Sequence, residues 1–153
     1  MEKTDDSQEK ATFENILLAV IYDPKTKKIL VGRRENDPHI KELSWGFPGG
    51  RLCKKEVEEC LKTKVKLKTG YEISNLGAIF AKTYPEKKDL FAVYYLCEVT
   101  GGEEKVGDDL VELKWVNPEE LEDLFTTSFH PNLKEYIINL KWNSKSVILV
   151  NLI

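Results

Sequence analysis

The chain has 153 residues, of which 41% are hydrophobic and 32% are charged, a balance typical of one soluble globular domain. Its net charge of −3 at pH 7 gives no reason to expect a nucleic acid or an anionic membrane as the main partner. No apolar run approaches the roughly 18 residues that cross a bilayer, so we expect a cytoplasmic protein without a membrane partner.

Residues 1–12 are mostly polar and predict a flexible tail. The start of this segment lacks the apolar or basic character of a secretory or transit peptide. Because no internal repeat or linker divides the rest of the chain, we expect a single domain over residues 13–153.

The first predicted elements form a hairpin. Residues 16–22 are apolar and β-branched, residues 28–34 form a second strand candidate, and the sequence Asp-Pro-Lys-Thr-Lys between them favours a turn. A loop follows, and the sequence Trp-Gly-Phe-Pro-Gly-Gly at residues 45–50 predicts a rigid turn.

Three more strands and two helices are predicted in the second half. The strands cover residues 73–83, 90–99 and 111–116, and the last one is expected to turn Val111, Leu113 and Trp115 inward. Pro118 and the acids after it indicate a helix start. A second helix is predicted over residues 132–140, where Leu133, Ile137 and Leu140 have helical spacing.

The three cysteines, Cys53, Cys60 and Cys97, are odd in number and contain no Cys-x-x-Cys pair. This pattern argues against a disulfide framework and against a structural zinc site. We therefore expect reduced thiols.

Residues 56–69 are ambiguous on local grounds. Apolar residues and lysines come close to alternating over residues 61–68, which favours a strand. On a helix, Val57, Leu61, Val65 and Lys68 would share one face, and Gly70 would be the C-terminal cap. The local pattern leaves both structures open.

A resemblance favours the helix. Ile-Leu-Val-Gly-Arg-Arg at residues 29–34, Trp-Gly-Phe-Pro-Gly-Gly-Arg-Leu at 45–52, Thr-Gly at 69–70 and the segment 112–121 together resemble the Nudix (MutT-like) hydrolase family. The resemblance covers roughly residues 14–125 and implies an α/β fold, an α/β/α sandwich with a mixed β-sheet. It also implies that residues 58–69 are the helix that carries the catalytic carboxylates in that family.

The family signature is Gly-x5-Glu-x7-Arg-Glu-x-x-Glu-Glu-x-Gly, and this chain keeps only its front half, Gly50 and Glu56. When the rear half is aligned on Gly70, the arginine and the three glutamates are replaced, in order, by Thr63, Lys64, Leu67 and Lys68. When it is aligned on Gly50, the acids are replaced by Val65, Lys68 and Thr69. We therefore interpret the box as degenerate.

This loss changes the chemistry that the resemblance implies. Magnesium prefers oxygen ligands, whereas a lysine ammonium has three donors and no acceptor. Glu56 is the one acid of the signature that remains, and it is the catalytic candidate. A single carboxylate is a poor metal site. Lys64 and Lys68 either reach water, pair with nearby acids, or contact phosphate where the metal would otherwise stand.

The candidate site residues form two groups. The candidates for phosphate or nucleotide binding are Arg34, Gly49, Gly50, Arg51, Lys64 and Lys68. The candidate metal ligands, needed only if the protein is an active hydrolase, are Glu56, Asp108, Asp109 and Glu112.

The altered box, Gly-Gly-Arg at residues 49–51 and His130-Pro-Asn faintly resemble the GDP-mannose mannosyl hydrolases. The histidine that those enzymes use corresponds to Leu110 here. Tyr84, Phe91 and Tyr94 could stack on a nucleobase, although aromatic residues in strands are more often part of the core.

Three functions follow. The first is binding of a nucleotide or nucleoside diphosphate derivative, with little or no pyrophosphohydrolase activity and no cofactor. The second is magnesium-dependent hydrolysis of ADP-ribose or a GDP-sugar, with Glu56 and the acids at 108–112. The third is a structural or partner-binding module. The apolar segment 147–153 could also add a strand to a second subunit and form a homodimer.

Overall fold

The computed structural model describes residues 10, 12–37, 40–41 and 43–140. The predicted polar tail lies largely outside the described residues, and the predicted C-terminal strand lies wholly outside them. The elements in chain order are β1 (Glu14–Asp23), β2 (Lys28–Arg34), β3 (Trp45–Gly46), β4 (Gly49–Arg51), α1 (Val57–Thr69), β5 (Tyr71–Tyr84), β6 (Lys87–Gly102), β7 (Leu110–Val116), a 3₁₀ turn (Pro118–Glu120), α2 (Leu121–Leu124) and α3 over residues 131–140.

The strands of the described residues form a mixed sheet with the order β3-β2-β1-β6-β5. The central pair, β1 and β6, is parallel, and the other pairs are antiparallel, including β4 on β1 and β7 on β2. Strand β1 pairs with β2 only at the hairpin end and with β4 near its start, so the sheet opens between them.

Helices cover both faces of the sheet. Successive residues of β1 point to opposite sides, and both sides of this strand carry apolar residues that a helix buries. On one face Leu17, Ala19 and Ile21 pack with Leu61 and Val65 of α1. On the other face Val20 and Tyr22 belong to a cluster that also contains Leu121 of α2 and the three buried residues of α3, Leu133, Ile137 and Leu140. The predicted α/β/α sandwich is confirmed.

The hairpin turn forms through the aspartate that begins it. The carboxylate of Asp23 accepts hydrogen bonds from the backbone N–H of Lys25 (2.9 Å) and from the hydroxyl of Thr26 (3.0 Å). These bonds satisfy polar groups at a chain reversal, as expected when aspartate begins a turn. The predicted hairpin is confirmed.

Two predictions about strands were wrong. Val111 is 48% exposed, whereas its neighbour Leu110 and the distant Val116 are buried. The pairing of β7 with β2 shifts register here, because Arg34 pairs with Leu110 and Arg33 pairs with Glu112. Val111 lies at this shift, and the alternation of buried and exposed side chains changes there. The predicted turn at residues 45–50 contains two short strands, β3 and β4, separated by Phe47 and Pro48.

The ambiguous segment is a helix. Residues Cys60, Leu61, Val65, Lys68 and Thr69 of α1 are buried, which gives helical spacing, and the lysines between them face outward or into a cleft. Gly70 ends the helix in the left-handed conformation (φ 80°), and its N–H donates to the carbonyl of Lys66. Burial of one helical face against the sheet decides between two structures that local pattern left open.

The expectation of reduced thiols was wrong for two of the three cysteines. The first turn of α1 brings Cys60 beneath the segment that follows β4, and a disulfide joins it to Cys53, with the two Cα atoms 5.9 Å apart. Cys97 is a free thiol in the core, where burial raises its pKa to about 12. Within the described residues, none of the helices is long and apolar enough to cross a bilayer.

Candidate functional site

A cleft of about 310 Å³ opens between the N-terminal part of the sheet, α1 and the segment after α2. Its lining contains a charged group and an apolar, mainly aromatic group. The charged group consists of Arg34, Asp37, Arg51, Lys64, Lys68, Asp108 and Asp109. The aromatic members are Trp45, Phe47, Tyr84, Tyr94, Phe125 and Phe129.

The double glycine brings its backbone close to both neighbours. Gly49 has a φ of 156°, and a Cβ there would collide with the carbonyl oxygen of Leu17 in β1. A Cβ at Gly50 would lie 3.0 Å from Cδ of Lys64. The glycines therefore allow β4 to pair with β1 and allow the Lys64 side chain to lie across the strand.

An ionic cluster forms around Lys68. The Lys68 side chain is 6% exposed, and its ammonium nitrogen lies 3.3 Å from a carboxylate oxygen of Asp109. The other oxygen of Asp109 lies 3.3 Å from the Arg34 guanidinium, which also pairs with Asp37 at 2.9 Å. Pairing of Lys68 with a nearby acid was one of three possibilities, and Asp109 is that acid.

The environment of Lys68 disfavours its charge. Burial lowers the pKa of Lys68, and the nearby Arg34 guanidinium lowers it further, whereas Asp109 and Asp108 act in the opposite direction. An ammonium has three N–H donors, and the pair with Asp109 occupies one of them. The remaining donors can serve an anion in the cleft.

All six predicted phosphate-binding residues line this cleft: Arg34, Gly49, Gly50, Arg51, Lys64 and Lys68. Arg51 forms an ion pair with Glu14 at 3.3 Å. The candidate metal ligands are divided. Asp108 and Asp109 line the cleft, whereas Glu56 is exposed before α1 and Glu112 pairs with Arg33 at 3.0 Å, both outside the lining.

Leu67, which the alignment on Gly70 places with Lys68 in the last acidic pair, is 58% exposed and does not line the cleft. The helix turns by about 100° per residue. Lys64 and Lys68, one turn apart, therefore face the cleft together while Leu67 faces solvent.

The side chains here do not fit the magnesium ion that the fold family implies. Magnesium prefers several oxygen ligands in octahedral geometry. Instead α1 presents two ammonium groups to the cleft, and both oxygens of Asp109 already contact cations. Among the described residues, no cluster of three or more histidine, cysteine, aspartate or glutamate side chains could hold a metal ion.

The aromatic side chains form a continuous cluster. The Phe47 ring contacts both Tyr94 and Phe125, with centroid separations of 5.9 Å and 5.1 Å, and Phe125 contacts Phe129 at 5.3 Å. Of the three aromatic residues predicted as candidates for stacking, Tyr84 and Tyr94 line the cleft and Phe91 does not, and Phe47, Phe125 and Phe129 were not predicted. Phe125 and Phe129 have the i, i+4 spacing of a helix, but they follow the end of the short α2, so helical periodicity does not apply to them.

The segment that carries Phe125 and Phe129 is held by the β5–β6 hairpin. The carboxylate of Glu86 accepts hydrogen bonds from the backbone N–H (2.7 Å) and the hydroxyl (3.0 Å) of Ser128. The Lys82 ammonium donates to the Ser128 carbonyl at 3.2 Å. These contacts fix the aromatic wall of the cleft.

Comparison with known proteins supports the family resemblance. The NUDIX domain family model matches residues 13–138. An ADP-ribose pyrophosphatase from Methanocaldococcus jannaschii is 28% identical over 95 residues, which are 60% of this chain and 55% of that protein. The chain thus spans about half the length of this curated relative.

Solved structures share the fold. A MutT protein from Methanosarcina mazei has a TM-score of 0.63 at 18% identity, with 90% of this chain and 99% of that chain covered. An ADP-ribose pyrophosphatase from Streptococcus suis has a TM-score of 0.57 at 20% identity, with 88% and 92% covered. Since the family model matches residues 13–138, which are most of the chain, this protein belongs to the Nudix family.

Proposed function

We propose that the protein binds a nucleotide or a nucleoside diphosphate derivative of the ADP-ribose type, and that it has little or no pyrophosphohydrolase activity. The observation that carries this proposal is the buried Lys68, which lines the cleft from α1 together with Lys64. Cationic side chains there suit direct contact with a diphosphate, because charge-assisted hydrogen bonds to phosphate need no intervening metal ion.

The two chemical groups of the cleft support the same class of ligand. Lys64, Lys68, Arg34 and Arg51 offer N–H donors to phosphate. Phe125 and Phe129, the half-buried members of the aromatic cluster, offer rings to a nucleobase. The curated relative is named for ADP-ribose, which makes ADP-ribose the first ligand to test.

We expect ADP-ribose to bind more tightly without added magnesium than with it. Lysine and magnesium compete for the same phosphate oxygens, and exposed contacts weaken as added ions screen them. Isothermal titration calorimetry in EDTA and in magnesium at matched ionic strength measures the difference. An affinity that rises with magnesium would contradict the proposal.

Lys64→Met should weaken that binding by about ten-fold or more, since a charge-assisted hydrogen bond contributes about 1.5–3 kcal/mol and about 1.4 kcal/mol corresponds to a ten-fold change in affinity. Lys62→Met is the matched control, because Lys62 lies on the same helix and pairs with Glu58 on the exposed face. Equal losses in the two variants would show that general charge, and not the cleft, governs the affinity.

The affinity should also depend on pH through Lys68. Because its pKa is lowered from the ordinary 10.5, Lys68 loses its charge at a lower pH than an ordinary lysine. The affinity should therefore decrease as the pH rises, and this decrease should begin at a lower pH than an ordinary lysine would give. Lys68→Arg keeps a charged guanidinium throughout and should hold its affinity to higher pH. Lys64→Arg makes the same chemical change outside the Lys68–Asp109 pair and serves as the control. Titrations between pH 7 and 10 that leave wild type and Lys68→Arg parallel would refute this role.

A magnesium-dependent hydrolase is the second candidate, because Asp108 and Asp109 line the cleft and could provide carboxylate oxygens. It is the weaker candidate, since Glu56 and Glu112 lie outside the lining and Asp109 is paired with two cations. Steady-state turnover of ADP-ribose that is lost in Asp108→Asn would favour it.

A further inference from the structure

One carboxylate in the cleft stands where two cations could hold an anion. One oxygen of Asp109 lies 3.3 Å from the ammonium nitrogen of Lys68, and its other oxygen lies 3.3 Å from Nη1 of Arg34. A phosphate group between two cations presents two of its oxygens in the same way. The carboxylate of Asp109 therefore fills an anion site that Lys68 and Arg34 form together.

The two cations have supports other than Asp109. Their side chains are only 6% exposed for Lys68 and 17% exposed for Arg34. Lys68 lies in the last turn of α1, a helix that packs on the sheet. Nη1 of Arg34 pairs at 2.9 Å with Asp37, whose side chain is 2% exposed and accepts the backbone N–H of Ile40 at 2.8 Å. The packing of the protein thus holds both positive charges at the wall of the cleft.

Asp109 is the exposed member of this cluster. Its side chain is 47% exposed, and it lies in a turn that the N–H of Leu110 closes by donating to the carbonyl of Gly107 at 3.2 Å. The N–H of Gly107 donates to the carbonyl of Lys68 at 3.1 Å, and Leu110 is buried, so both ends of the turn are anchored. Rotation of the Asp109 side chain into solvent breaks none of these backbone contacts.

The contacts of Asp109 are also long for charged groups. A charge-assisted N–H···O bond usually measures about 2.7–2.9 Å, a range that includes the Arg34–Asp37 pair but neither contact of Asp109. Asp109 moreover shares Nη1 of Arg34 with Asp37. Phosphate groups offer more acceptor oxygens and more negative charge than one carboxylate. A diphosphate is therefore a stronger partner for these cations than Asp109.

We infer that Lys68 and Arg34 form a phosphate subsite and that Asp109 is its internal competitor, which a phosphate of the ligand displaces. This inference rests on the proposed function, because it takes the ligand to be a diphosphate. It goes beyond the unoccupied donors of Lys68, since the anion takes the position of the carboxylate itself. Asp109 neutralises the two cations in the free protein and lowers the affinity for the ligand.

Asp109→Asn tests the competition, since it removes the charge and keeps the shape of the side chain. The probe is inorganic pyrophosphate in EDTA, which has the phosphates of the ligand without a base. Calorimetry should show binding about ten-fold tighter than in wild type, or more, because no internal charge-assisted pair has to be broken. An affinity equal to or below that of wild type overturns the inference.

Two control variants separate displacement from the general effect of charge. Asp108→Asn makes the same change in the same turn, at a φ of 54° that asparagine tolerates. Asp108 lines the cleft but forms no ion pair with a described residue, so this variant should gain less affinity than Asp109→Asn. Asp123→Asn, an exposed change on α2 outside the lining, should leave the affinity unaltered. Equal gains in Asp108→Asn and Asp109→Asn would show that the field of the cleft governs binding, and the inference would fail.

Melting curves provide a second measurement, which also serves if loss of the Lys68 partner destabilises Asp109→Asn. A ligand that binds more tightly stabilises the folded state more at the same concentration. Pyrophosphate should therefore raise the melting temperature of Asp109→Asn more than that of wild type. If the variant does not fold even with pyrophosphate, Asp109 is a structural partner of the cations and the subsite is refuted.

ADP-ribose as a second probe separates this inference from the proposed function. If ADP-ribose binds wild type and Asp109→Asn equally tightly, the inference fails and the proposed function stands. If ADP-ribose binds neither protein while pyrophosphate binds Asp109→Asn more tightly than wild type, the proposed function fails and the subsite stands. Binding of neither probe to either protein overturns both.

Discussion

The purified protein should hydrolyse ADP-ribose, GDP-mannose and nucleoside triphosphates at least ~100-fold more slowly than a Nudix enzyme with an intact box. A metal ion contributes several kcal/mol of transition-state stabilisation, and each 1.36 kcal/mol corresponds to about a ten-fold change in rate. In this cleft α1 presents the ammonium groups of Lys64 and Lys68, and both oxygens of Asp109 already contact cations. Product release at matched enzyme and magnesium concentrations measures the ratio.

The assay needs a control that shows the protein is folded and able to bind. ADP-ribose affinity, measured on the same preparation, provides it. Slow turnover with intact binding agrees with the proposed function. Robust magnesium-dependent turnover of any of these substrates would refute it and favour the hydrolase that uses Asp108 and Asp109.

The double variant Lys64→Glu/Lys68→Glu should convert the cleft into a cation site. The two new carboxylates are one helical turn apart, at about 5–6 Å, at positions that line the cleft together with Asp108 and Asp109. Without metal they repel the acids and remove the partner of Asp109, and we expect a loss of about 2 kcal/mol or more. Manganese or magnesium should restore stability by mass action.

Melting curves over a range of metal concentrations measure this effect, because 1 kcal/mol shifts the melting temperature by about 2–4 °C for a domain of this size. The control is Lys62→Glu/Lys66→Glu, which has the same spacing and charge change on the exposed face of α1, where these lysines pair with Glu58 and Glu72. A metal response of equal size in both variants would contradict the geometry. Leu67 is left unchanged because it faces solvent.

The strand and helix pattern could be predicted from the sequence where local chemistry dominates. The Asp23 turn, the glycine cap at Gly70 and the apolar spacing of α3 depend on groups within a few residues of one another. Motifs at residues 29–34, 45–52 and 69–70 then indicated the family. Arg34 and Arg51 were found because these motifs carry them, and Lys64 and Lys68 were found because they stand where the family signature has acids.

The contacts that join distant segments could not be predicted. Lys68 and Asp109 are 41 positions apart in the chain, and Glu86 and Ser128 are 42 positions apart. The outward turn of Val111 depends on a register shift between two strands, and the Cys53–Cys60 pair depends on where the first turn of α1 lies.

By itself the sequence determined most of the strands, α3 and the family, and it places lysines at positions 64 and 68, because periodicity and motif spacing are local properties. Only the tertiary structure decided which groups face each other. It placed Lys68 beside Asp109 and Arg34, turned Leu67 to solvent, left Glu56 and Glu112 outside the cleft and brought Tyr71, Trp115 and Glu104 together. The physical reason is that burial and charge pairing are decided by the packing of helices against a sheet, whose neighbours are far apart in the chain.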